Sequence, residues 1–289
     1  MSEAIDATWR EDFSYLPAFR QFFRDWQPRE EPYLPVLALH GSLTQSGMWK
    51  LLAERAHSVR MLCPDLRGFG RSDDPGTDSC VEFSSDAALL ADELLPDRYV
   101  VMGHSFACSI ALELACRQPA RIAGVVLVDP VVRAGKPATT SAPSAQPELF
   151  ATIEEGEAHF ANTEEGRWTD ESLHRFTCDV LIGDPDSGAW RLPYSPQRLR
   201  RLRSFTASPT GDYDLLSKAK GVRCPVLVFR GGLSKRFAAS AESALLNAFA
   251  PEARAAIVLC PDSGHFPTAT EPDLMLDALI PFLSGLPRT

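Results

Sequence analysis

Residues 99–107, Tyr-Val-Val-Met-Gly-His-Ser-Phe-Ala, end a short apolar run on a serine with Gly103 two residues before it and Ala107 two after. Val100 and Val101 are β-branched and favour a buried strand. Beyond the serine, Phe106, Ile110 and Leu114, with Ala107, Ala111 and Ala115, recur at helical spacing. Ser105 therefore falls on an abrupt strand-to-helix turn. Such a turn strains the serine backbone and lifts its hydroxyl clear of the sheet, and the small flanking residues let other segments pass close by. Ala107 stands where the pattern usually has glycine, a departure of one methyl group. The helix that follows aims its first N–H groups at the turn, where they favour negative charge. These are the needs of a nucleophilic serine. A base is also required, and the chain offers six histidines: His40, His57, His104, His159, His174 and His265.

The elements that would hold these groups are legible in outline. Residues 13–26 read as two short strands around Pro17, an antiparallel opening hairpin. Strands are expected at 34–39, 59–64, 122–128, 224–231 and 255–261, and helices at 48–57, 84–95 (capped by its serine), 238–249 and 274–283. Strands alternating with helices at this spacing imply an α/β fold with a doubly wound, mostly parallel sheet, taken here as eight-stranded. From 131 to 220 strand character is absent. A Pro/Ser/Thr/Ala stretch at 138–147 precedes helical patterns at 147–160, 169–182 and 196–205, with an irregular turn at 183–194. The domain reading is a core of 1–130 and 221–289 with a helical insertion at 131–220.

Composition narrows the function classes. With 45% hydrophobic and 23% charged residues the chain is an ordinary globular protein, and a net charge of −9 argues against nucleic-acid or anionic-membrane partners. Seven scattered cysteines read as buried free thiols in a reducing compartment. No Cys-x-x-Cys or His-Glu-x-x-His spacing suggests a metal, and no cofactor is expected. Residues 1–10 lack an apolar leader and no apolar run approaches a membrane span, so a cytoplasmic location is expected. The run Gln-Arg-Leu-Arg-Arg-Leu-Arg-Ser at 197–204 reads first as a solvated basic face. Its sharper reading, at Arg198, Arg200, Arg201 and Arg203, is a rim for an anionic substrate or an acyl carrier.

The elbow in its strand-turn-helix context resembles that of the α/β-hydrolase fold superfamily. Two further motifs carry the resemblance. His40-Gly41-Ser42 follows the strand at 34–39, and Asp65-Leu-Arg-Gly-Phe-Gly-Arg-Ser72 matches the family's D-x-R-G-x-G-x-S turn, read here as structural, with Asp65 and Arg67 able to pair. The resemblance implies an oxyanion hole made by the backbone N–H groups of Ser42 and Phe106, a structural role for His40, and a base at His265, on the loop after the last strand. It implies that the insertion caps the site. The family's usual acid position is filled by Ser234 and Lys235, in Gly231-Gly-Leu-Ser-Lys-Arg-Phe237, and neither can stabilise an imidazolium. A known variation moves the acid to the end of the strand after the nucleophile helix. Asp129 stands there, and Lys235 is placed to pair with it; Asp214 and Asp262 are weaker candidates.

The implied function is a serine hydrolase that acts through an acyl-enzyme on a small-to-medium, largely apolar ester, lactone, thioester or C–C-bonded diketone. Two alternatives remain at this stage. Members of the fold that cleave hydroxy-oxo-quinolines with dioxygen share the early acid and a His-Phe-Pro loop, as at Asp129 and His265-Phe266-Pro267, so a cofactor-independent oxygenase or lyase is one. A non-catalytic ligand-binding protein on a hydrolase scaffold is the other.

Overall fold

The computed structural model describes residues 8–132, 149–184, 186–206 and 212–288. The chain opens with β1 (Thr8–Tyr15) and β2 (Arg20–Gln27), then β3 (Val36–Leu39), a 3-10 turn at Ser46–Trp49, α1 (Lys50–Ala56) and β4 (Met61–Pro64). After these come α2 (Cys80–Leu94), β5 (Tyr99–His104), α3 (Ala107–Arg117) and β6 (Ile122–Val128). An insertion holds α4 (Ile153–Thr163), α5 (Asp170–Val180), β7 (Ile182–Gly183), β8 (Trp190–Arg191), α6 (Pro196–Thr206) and α7 (Leu215–Ala219). The chain closes through β9 (Val226–Gly231), α8 (Glu242–Ala248), β10 (Ala256–Cys260), α9 (Pro267–Thr270) and α10 (Pro272–Ser284).

Eight of the strands form one sheet in the order β1-β2-β4-β3-β5-β6-β9-β10. The hairpin strands run antiparallel and every pairing from β4 to β10 is parallel. Helices pack in two groups, α1 with α9 and α10, and α2 with α3, α7 and α8, as a doubly wound sheet requires. Every residue of β3, β5, β6 and β9 is buried, which explains their continuous rather than alternating apolar runs. Ser105, Asp129 and the His265 loop all follow carboxyl ends of parallel strands, where open α/β sheets collect their sites.

Locally the structure departs from the sequence pattern at several points. Helix α2 starts at Cys80, because Ser79 and Glu82 form a reciprocal capping box; Ser84 lies inside the helix and donates to the Val81 carbonyl. The 183–194 stretch is not wholly irregular: β7 and β8 pair as a ribbon, and Phe150 bridges to Trp190. The 138–147 stretch lies outside the described residues. Cys116 and Cys178 are exposed and Cys224 is half-buried, so the thiols are not uniformly interior.

Asp65 and Arg67 do not pair with one another. Asp65 accepts from the Ser46 amide and hydroxyl and from the Arg71 amide, whereas Arg67 grips Asp86 with two hydrogen bonds of 2.6 and 2.8 Å. Both members of the Arg67–Asp86 pair are buried, and burial raises the Asp86 carboxyl above its ordinary range. Removing one partner of such a pair strands the other without compensation. Arg67→Ala is expected to lower unfolding stability by ~3 kcal/mol, read from urea denaturation midpoints.

Polar contacts tie the segment between β6 and β9 to the rest of the chain at several places. Gln45 donates to the Asp179 carbonyl at 2.8 Å, and Lys50 pairs with the Asp179 carboxylate at 2.6 Å. Gly166 bridges to Ser263, one residue from the His265 loop glycine. On α6, Leu199 and Leu202 are buried, as their spacing requires, but Arg198 is buried with them. It pairs with Asp78 at 2.5 Å and lies 4.5 Å over the Phe69 ring, while Arg201 binds Asp74 and Asp78. The run at 197–204 is therefore not a solvated basic face throughout: two of its arginines are spent on core aspartates.

Candidate active site

Strand β5 delivers the chain to Ser105, whose φ of +58° is the left-handed conformation expected of the elbow. Its amide donates to the Val128 carbonyl at 3.0 Å, which ties the turn to the neighbouring strand, and α3 begins two residues later. A Cβ at Gly103 would overlap the Ala107 carbonyl, so glycine is needed there, while the Ala107 side chain is accommodated in the core.

His265 lies in the loop between β10 and α9, and the fold brings it to Ser105 across 160 residues: its Nε2 is 2.9 Å from Ser105 Oγ. Its Nδ1 is 2.6 Å from Oδ2 of Asp129. Asp129, one residue past β6, also has a positive φ, +42°. Because the carboxylate only accepts, the proton lies on Nδ1, and the bare Nε2 lone pair faces the serine hydroxyl. Burial pushes His265 well below the ordinary imidazole range, aided by the nearby Arg236 charge, and burial also pushes Asp129 up to about 6. The imidazole is thus neutral at neutral pH, the form that can accept a proton.

The loop at 40–45 passes against the elbow. A Cβ on Gly41 would overlap the His104 ring and come within 3.2 Å of Ser105 Cβ. Among the described residues neither the Ser42 nor the Phe106 amide has a hydrogen-bond acceptor. His40 donates from Nδ1 to the Gly41 carbonyl and accepts the Leu66 amide at Nε2; fully buried, it is held neutral, its pKa pushed down to about 4. It fastens the loop from beneath and does not serve as a base.

The remaining acid candidates are engaged elsewhere. Asp214 caps α7, and Asp262 pairs with Arg167 at 3.1 Å. Lys235 does not reach Asp129; its exposed side chain pairs with Glu165 at 3.2 Å, and the Ser234 hydroxyl donates to the Asp129 carboxylate at 2.6 Å. Two contacts at the site were not legible in the sequence. One is that hydroxyl; the other is His104, whose Nε2 donates to the His265 carbonyl at 2.7 Å and whose ring centre lies 4.5 Å from that of His265. Phe69 and Phe106 are in ring contact with each other, and a second aromatic group joins Trp168 and Phe176 to Phe266, whose ring also packs on His265. Among the described residues no group of three or more His, Cys, Asp or Glu side chains has the geometry to hold a metal ion.

A family model described as the alpha/beta hydrolase family matches residues 36–278. The chain belongs to that family. The chain is similar to the lipase LipV of Mycobacterium tuberculosis, 35% identical over 97 residues, or 34% of this chain and 37% of the lipase. It is also similar to the non-heme chloroperoxidase of Streptomyces lividans, 35% identical over 114 residues and 41% of that enzyme, so the alignments span well under half of these two relatives. A 3-hydroxybutyrate-oligomer hydrolase of Cupriavidus necator aligns over 88% of this chain and 89% of its own length at 27% identity. Of solved α/β-hydrolase structures, E-2-(acetamidomethylene)succinate hydrolase superposes with a TM-score of 0.78 at 21% identity, covering 96% of this chain and 100% of that one, a likeness of fold. No helix among the described residues is long and apolar enough to cross a membrane.

Proposed function

We propose that the protein is a serine hydrolase that cleaves a small-to-medium, largely apolar carboxylic ester through an acyl-enzyme. The observation that carries this reading is the continuous hydrogen-bonded line Ser105–His265–Asp129, with distances of 2.9 and 2.6 Å, buried at the carboxyl edge of the sheet. In this mechanism His265 Nε2 takes the Ser105 proton as the oxygen attacks the acyl carbon. Asp129 stabilises the imidazolium that forms, and the free Ser42 and Phe106 amides receive the oxyanion. His265 then returns the proton to the leaving alcohol and activates the water that releases the acid. Residues 131–220 act as the cap, and the rings of Phe69, Phe106 and Phe266 favour an apolar acyl or alcohol group.

The lipase and oligomer-hydrolase relatives support ester chemistry over the other acyl compounds the fold accepts. A dioxygen-dependent or lyase reaction by His265 and Asp129 alone would leave Ser105 as a mere positioning group. The short contact from its hydroxyl to a bare Nε2 favours the nucleophilic role. Treatment with a fluorophosphonate is expected to add one phosphonyl group, located at Ser105 by peptide mass spectrometry, and to abolish turnover of p-nitrophenyl butyrate. A lactone, thioester and diketone panel run beside it ranks the acyl classes. An unlabelled Ser105 in folded, untreated-active protein would overturn the acyl-enzyme.

A further inference from the structure

Asp129 is a buried carboxylate in a place that strongly disfavours its charge, so whatever holds it ionised controls the proposed mechanism. Three donors reach it. Oδ1 accepts the Gly231 amide at 3.1 Å. Oδ2, the oxygen that faces His265 Nδ1, also accepts the Ser234 hydroxyl at 2.6 Å. The Ser234 hydroxyl is itself oriented: its oxygen accepts the Arg236 amide at 3.1 Å, so its only proton is directed at the carboxylate. A backbone amide therefore aims a side-chain donor at the very oxygen on which the imidazole hangs. Gly231 cannot be exchanged for a larger residue, because a Cβ there would overlap the Gly264 carbonyl of the His265 loop. Among the described residues, Ser234 is the one donor to Asp129, besides His265 itself, that a side chain supplies.

We propose that Ser234 is a positioning residue, whose hydroxyl keeps the Asp129 carboxylate ionised and turned toward His265 and so sets the lower pH limit of activity. The inference rests on the ester-hydrolase reading of the same site. Its physical content is a balance between desolvation, the largest influence on Asp129, which favours the neutral acid, and hydrogen bonds to the charged form, which oppose it. The other ionisable groups facing Asp129 are His265 and His104, both held neutral by burial, the Arg236 guanidinium, and the thiols of Cys108 and Cys260, which burial pushes up and keeps uncharged. Arg236 is the only fixed charge among them, and it is half-exposed and engaged by Glu164 at 3.2 Å. Loss of the Ser234 hydroxyl therefore falls on Asp129 with little to replace it.

The sign follows directly. Removing a donor to the ionised form raises the acid's pKa, so the Asp129–His265 pair loses its working protonation state at higher pH as the solution is acidified. Ser234→Ala is expected to move the acid limb of the kcat/KM profile for p-nitrophenyl butyrate upward by about one pH unit. On the acid limb, near pH 5, kcat should drop about tenfold with KM within about twofold, since Ser234 touches the acid and not the substrate. Ser234→Thr, which keeps the hydroxyl, is expected to restore kcat to within about threefold and the limb to its original place. A Ser234→Ala profile that superimposes on the parent overturns the proposal, as does a rise in KM at constant kcat.

A second readout needs no turnover. The proton on His265 Nδ1, shared with Asp129 at 2.6 Å, should give a far-downfield proton resonance. Its pH midpoint should shift upward in Ser234→Ala and stay in place in Ser234→Thr. If the parent hydrolyses no ester while this midpoint moves, the function fails and the role of Ser234 stands. If the parent is active and the midpoint does not move, the role of Ser234 fails alone. Thermal unfolding of both variants, expected to be cooperative, separates these outcomes from misfolding.

Discussion

Ser105→Ala is expected to lower kcat on p-nitrophenyl butyrate by about 10⁶-fold, the scale of loss when another serine enzyme is stripped of its nucleophile, with binding and stability almost unchanged. The argument is geometric. Alanine pays no more than serine for a φ of +58°, so the elbow keeps its shape. The amide of residue 105 still donates to the Val128 carbonyl, and the side chain lost is a single oxygen at a mostly buried position. What disappears is the atom 2.9 Å from His265 Nε2, and with it the proposed covalent route. Remaining activity would come from water activated by His265 and from the Ser42 and Phe106 amides, which in the proposed mechanism would act on the oxyanion whether or not serine attacks. Initial rates and a fluorophosphonate adduct measured together decide the matter. A variant that keeps more than about a tenth of parental activity would assign the chemistry to His265 and Asp129 acting directly on substrate, the oxygenase or lyase reading.

What was legible in the sequence was what is local. The elbow is a nine-residue pattern of β-branched, small and helix-periodic residues, and β5, Ser105 and α3 lie where that pattern puts them. The parallel core was legible for the same reason, since strands buried on both faces must be apolar without interruption. Contacts set by tertiary placement were hidden. Nothing around Arg198 discloses that Asp78, 120 positions earlier, will neutralise it, and a run of four arginines on one helix reads as solvated until the core offers carboxylates. Asp65 and Arg67 look like a local pair, yet each finds a better partner, because Asp86 on α2 presents both oxygens to one guanidinium. The start of α2 is different in kind, because it is local: Ser79-x-x-Glu82 has the capping-box spacing that Ser84, with Ala87 three residues on, lacks. Ser234 was legible only as the absence of an acid; its hydroxyl acquires meaning once Asp129 is seen beside it.

Asp129→Asn is expected to leave a folded protein whose kcat is reduced by roughly 10⁴-fold, as when another triad loses its carboxylate. Asparagine matches aspartate in shape, and its carbonyl oxygen can still take the Gly231 amide. The amide NH₂ then faces His265 Nδ1, where a donor replaces an acceptor. Nδ1 must give up its proton and become the acceptor, which sends the proton to Nε2, the atom that has to be bare to activate Ser105. The variant is thus disabled by tautomer and not by displacement. It also loses the negative charge that steadies the imidazolium in the transition state. Stability should change little, because the desolvation that pushes the Asp129 carboxyl up to about 6 is relieved in the neutral amide while the Ser234 hydroxyl loses its acceptor. Labelling by a fluorophosphonate should slow in step with kcat, since both need an activated Ser105. A loss of less than tenfold in kcat, with unfolding unchanged, would place the working acid elsewhere; Lys235→Ala, whose partner is Glu165, supplies the comparison and should cost less than about twofold.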